Sequence, residues 1–192
     1  MDLQHVNVKL TLDKPEELDF EPLVPIFHSW IQSQVFEELL LDVADYRHVP
    51  EGPGVMVIGH QANYSVDNTD NRPGVLYNRK AVLAGSNQDR LQQATKAALA
   101  ACQKLEAEPK MKGKLHFNGR DIQVYINDRL IAPNEGSSRE NFDADFQEFF
   151  KKLFRGSDFT LTYGTDPRRL FGFSVRAAQP FTIDRLLENL AA

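Results

Sequence analysis

Apolar residues change period several times along the chain, and each change marks an element. From Val6 to Leu12, Val6, Val8, Leu10 and Leu12 alternate with Asn7, Lys9 and Thr11, the pattern of a strand with one buried and one wet face. His5 falls on the wet side. In PLVPIFHSWIQS the spacing becomes helical: Ile26, Phe27, Trp30 and Ile31 share a face, and His28 points away from it. Residues 37–49 fit either a helix end or a strand, because a short apolar run does not decide between them, and a strand from Leu39 to Tyr46 is the preferred reading. After the turn signal PEGPG, the run VMVIGHQANYSVD reads as extended with a bulge near Gly59, and GVLYNRKAVL follows as another strand.

Ser86 precedes Asp89 by three positions, the spacing of a capping box, and opens a helix whose buried face is Leu91, Thr95, Ala98, Cys102 and Leu105. Ser137 with Glu140 predicts a second box before the stripe Phe142, Phe146, Phe149, Phe150 and Leu153, which Gly156 stops. Within KLHFNGRDIQVYI, Asn118-Gly119 predicts a tight hairpin that sets Leu115 opposite Ile122 and His116 opposite Asp121. FTLTY and LFGFSVR form a further hairpin around GTDP, and Thr182 opens a terminal helix through Ile183, Leu186, Leu187 and Leu190.

After an initial strand and helix, this order is strand, strand, helix three times over. It predicts a single α+β domain spanning residues 1–192, a mostly antiparallel sheet built from successive hairpins with helices on one face. Residues 113–155 and 158–190 share one plan, hairpin then amphipathic helix.

Composition narrows the function classes. The 192 residues are 42% hydrophobic, with 13 Phe against 1 Trp, so the core should be rich in phenylalanine. A net charge of -5 opposes general binding to nucleic acid, which draws on clustered bases. The one cysteine, Cys102, forms no intramolecular disulfide and belongs to no zinc-type cluster. No basic segment leads into an apolar run, and no stretch approaches the ~20 apolar residues of a membrane span. A cytoplasmic protein without a membrane partner is expected.

Signatures of known chemistry are missing: there is no phosphate-binding GxxxxGK[ST], GxSxG or HExxH. The glycines of GPGVMVIGH precede a strand instead of joining strand to helix, so they do not suit a dinucleotide. DNTDNRPG alternates oxygen ligands like a calcium loop, but Arg72 stands where that loop needs glycine. Cys102, set among alanines, reads as a buried thiol. No cofactor and no metal are expected.

One stretch concentrates reactive groups: HQANYSVDNTDNRPGVLYNRKA, residues 60–81. A turn over residues 68–73 pairs Val66 with Val75, Tyr64 with Tyr77, Ala62 with Arg79 and His60 with Ala81. An unbroken strand then puts Met56, Ile58, His60, Ala62, Tyr64 and Val66 on one face with Val75, Tyr77, Arg79 and Ala81. His60, Tyr64, Tyr77 and Arg79 are therefore the ligand-binding candidates, suited to a small anion. Gln61, Asn63, Ser65, Asp67, Asn78 and Lys80 take the other, wet face. With structural signals complete and catalytic ones lacking, the expectation is a non-catalytic binding protein. It would use a sheet face or edge for a protein partner or for self-association. The alternative is a small enzyme or ligand sensor for an anionic metabolite around those four residues.

Overall fold

A computed structural model describes residues 2–111 and 113–191. The strands are β1 (Val6–Leu12), β2 (Leu40–Tyr46), β3 (Gly54–Gly59), β4 (Ala62–Asp67), β5 (Gly74–Arg79), β6 (Phe117–Ile126), β7 (Phe159–Tyr163) and β8 (Phe171–Ala177). The helices are α1 (Leu23–Ser33), α2 (Asn87–Glu106), α3 (Gly136–Leu153) and α4 (Ile183–Ala191). All eight strands join one antiparallel sheet in the order β2-β3-β4-β5-β1-β6-β8-β7. The α+β architecture matches the expectation from periodicity.

The helices pack on the face that carries Val8, Tyr77, Val124 and Phe173. Gln93 of α2 bonds the Tyr77 hydroxyl, and Phe146 and Phe150 of α3 meet the Phe173 ring. The predicted phenylalanine stripe of α3 is buried throughout, and so is the Leu91–Leu105 face of α2. Ser86 and Asp89 form their capping box. The second box does not form: α3 starts at Gly136, so Ser137 already lies inside the helix, and Glu135 is the capping residue without a side-chain bond.

The repeat also lies elsewhere than 113–155 and 158–190. A first strand, a helix, a hairpin whose second strand returns beside the first strand, and a closing helix describe β1-α1-β4-β5-α2. The same words describe β6-α3-β7-β8-α4. The two units meet at the antiparallel β1–β6 pair, and the β2–β3 hairpin is an addition to the first. The order of elements is therefore not the predicted triple strand-strand-helix.

The Asn118-Gly119 hairpin is replaced by a continuous strand. Leu10 pairs with Ile122 and Leu12 with Phe117, so residues 118–121 bulge against Thr11. A side chain at Gly119 would put its Cβ 2.3 Å from the Phe181 carbonyl oxygen. The glycine thus serves a close approach to the segment before α4, where the sequence suggested a turn. Asp121 consequently bonds Arg176 of β8, Nε to Oδ1 at 2.6 Å, and not His116.

β1 departs from its expected wet face as well: all seven residues are buried. The turns between β4 and β5 and between β7 and β8 leave opposite ends of the sheet, and Asp70 and Arg169 join them over the helix-free face. Beneath this roof Lys9, 2% exposed, pairs with the Asp67 carboxylate. Asp67 also accepts from the Thr69 amide at 3.1 Å and the Thr69 hydroxyl at 2.8 Å.

Candidate functional site

β4 and β5 pair in the predicted register: Ala62 with Arg79, Tyr64 with Tyr77 and Val66 with Val75. The strand before them is not continuous with β4. A tight turn at His60 and Gln61 separates β3 from β4 and shifts the alternation, so Val55 and Val57, and not Met56 and Ile58, lie beside Val66 and Tyr64. His60 occupies that turn with its side chain exposed, its amide donating to the Leu39 carbonyl at 2.8 Å. The structure therefore brings together Tyr64, Tyr77 and Arg79 and leaves His60 outside.

The two tyrosines are interior groups. Tyr64 stacks on Phe36 with centroids 4.5 Å apart and meets Tyr77 edge-on at 5.1 Å. Its hydroxyl donates to Glu38 Oε1. Burial, reinforced by that carboxylate, pushes the Tyr64 phenol far above its ordinary pKa of 10. The Tyr77 hydroxyl accepts from Gln93 Nε2 at 2.9 Å; burial raises its pKa, while Gln93 and the nearby Arg79 oppose the rise. Neither phenol is poised to exchange protons near neutrality, so the pair packs and orients.

Arg79 differs, being 8% exposed without an ion-pair partner among the described residues. Its Nε donates to the Ala81 carbonyl at 2.9 Å and Nη1 to Gln61 Oε1 at 3.3 Å. It lines a narrow cleft with Gln4, His5, Val6, Leu83, Arg90 and Gln93, and His60, Tyr64 and Tyr77 are not among the walls. Arg90 and Gln93 were not singled out as site residues in the sequence. Their place follows from α2 lying across β1 and β5, a tertiary fact without a local sequence signal. Glu38 escaped notice too, in the apolar run between α1 and β2.

Cys102 is buried, and burial raises its thiol pKa well above the ordinary value. Among the described residues no cluster of His, Cys, Asp or Glu has the geometry to hold a metal ion, and no helix is long and apolar enough to cross a membrane. A scan against protein-family models finds no match, and a search of curated proteins finds no significant similarity.

Proposed function

We propose that the protein is a non-catalytic cytoplasmic binding protein that receives a partner strand along β2. The observation that supports this reading is the apolar character of that edge. Leu39 is 55% exposed and Leu41 51%, and Tyr46 and Val49 lie open beside them. β2 has a neighbour on one side only, so one row of its backbone groups is available to another chain. Leu41 stands at a register shift between Leu40 and Asp42, which turns its side chain outward.

An extended segment of another protein fits this edge better than a second copy does. Self-pairing sets Asp42 and Asp45 of both chains on one short ladder, whereas an apolar strand flanked by lysines meets them favourably. The test is a synthetic peptide of alternating valine and threonine with terminal lysines, titrated against the full chain and against Leu41→Lys. Binding to the first, weakened at least about tenfold in the variant, supports the reading. Equal binding to both, no binding, or a wild-type dimer that Leu41→Lys dissociates would refute a foreign partner strand.

A further inference from the structure

We infer that the cleft between the start of β1, the loop after β5 and the first turn of α2 binds a single halide ion of chloride size, held by Arg79 and Arg90. This site is independent of the β2 edge.

Two guanidinium groups, 8% and 6% exposed, line one cleft with about 10 Å³ of free volume, room for a single water-sized group. Removing a cation from water costs several kcal/mol unless an opposite charge replaces the lost hydration. Carbonyl and amide oxygens hold the two side chains in place, but provide little of that charge. Arg90 donates Nε to the Leu83 carbonyl at 2.9 Å and Nη1 to Asn87 Oδ1 at 3.1 Å. Its nearest carboxylate is Asp2, 3.8 Å from Nη2 and 79% exposed, a position where water screens the attraction.

The local field adds to the demand. Arg90 sits in the first turns of α2, where the helix dipole already presents positive potential, so a cation there is disfavoured and an anion favoured. The other ionisable groups near this end are committed elsewhere. Asp89 is exposed and bound first by Ser86, with a weaker attraction to Arg90 that water screens, Asp145 accepts from Asn87 Nδ2 at 2.6 Å, and His5 lies 4.0 Å from Asp128. Gln93 completes the wall, its amide nitrogen given to Tyr77. A space this small excludes a nucleotide, a peptide carboxylate with its chain and a tetrahedral oxyanion, and selects a monatomic ion.

Thermal unfolding of the full chain tests the site, with sodium gluconate replaced stepwise by sodium chloride at constant ionic strength. A saturable rise in midpoint of roughly 3–6 °C is expected once the fitting ion exceeds its dissociation constant tenfold. The rise should disappear in Arg79→Gln and Arg90→Gln and persist in Arg176→Gln, which lies outside the cleft. Arg90→Lys, which keeps charge and fold but loses the planar fork, should raise the half-saturating concentration at least about fivefold. No specific rise with chloride, or an equal rise in Arg90→Lys and wild type, overturns the proposal.

Discussion

Arg169 grips Asp70 through two parallel contacts, Nη1 to Oδ2 at 2.6 Å and Nη2 to Oδ1 at 2.8 Å, between turns 99 residues apart in sequence. Asp70 holds a left-handed backbone, φ 61°, to reach it. Tyr125 lies on the sheet beneath the pair and bonds Gln123 Oε1 at 3.0 Å. The contact closes a roof that neither turn spans alone.

Because both groups are partly solvated, Asp70→Asn should lower global stability by less than about 1 kcal/mol. It should still speed hydrogen exchange in residues 68–73 and 164–170. Arg169 holds the Asp70 carboxyl below its ordinary 3.8. The stabilisation is therefore present above about pH 4 and fades as pH falls through the folded value. Unchanged exchange in both turns would show that they are held by something else.

The ion pair beneath the roof should behave differently. Lys9→Met leaves the Asp67 carboxylate buried without its cation, a loss of about 3–5 kcal/mol. Lys9→Met/Asp67→Asn, which keeps acceptors for Thr69, should recover most of it. Denaturant midpoints decide the matter, and a double variant no better than the single one contradicts this reading.

The sheet should lose stability as pH rises above about 10. Burial raises the phenols of Tyr64, Tyr77, Tyr125 and Tyr163, with Glu38 and Asp143 adding to the effect at Tyr64 and Tyr163. The folded chain holds protons that the unfolded chain releases near pH 10. Their contribution is thus complete below about pH 10 and is lost as pH rises towards the folded values. Phenolate absorbance of these four tyrosines should appear together with loss of far-ultraviolet dichroism. Reversible titration of all tyrosines near pH 10 in an intact fold would count against it.

Gly119→Ala tests the bulge in β6. Its methyl group meets the Phe181 carbonyl, and a cost of about 1–3 kcal/mol is expected in chemical denaturation. Gly136→Ala, where no atom lies within 4 Å, should be neutral or gain up to about 1 kcal/mol at the start of α3. Equal effects at the two positions would remove the steric explanation.

Gly119 also shows where sequence reasoning stops. Asn-Gly in an alternating run is the usual mark of a hairpin, yet the same glycine also permits a close approach, and the neighbour that decides between them is a carbonyl more than 60 residues away. The β4–β5 register was readable because turn length and alternation determine it locally. His60 was misplaced because a two-residue turn interrupts what reads as an unbroken strand. Lys9 looked solvated because its partner, at the end of β4, and its roof, from two turns, are distant in sequence. Within the candidate site, the Tyr64–Tyr77 pair was legible from cross-strand geometry. The meeting of Arg79 with Arg90 was not, since it depends on where α2 crosses the sheet.

The seam between the two repeated units has a consequence for any division of the chain. β1 and β6 both lie inside the sheet, each shielded on both sides by a neighbour. Cutting the connection between α2 and β6 and separating the pieces would convert both into long apolar edges, the hydrogen-bonding template on which chains aggregate. Interior strands of the whole would become the most hazardous surfaces of its parts.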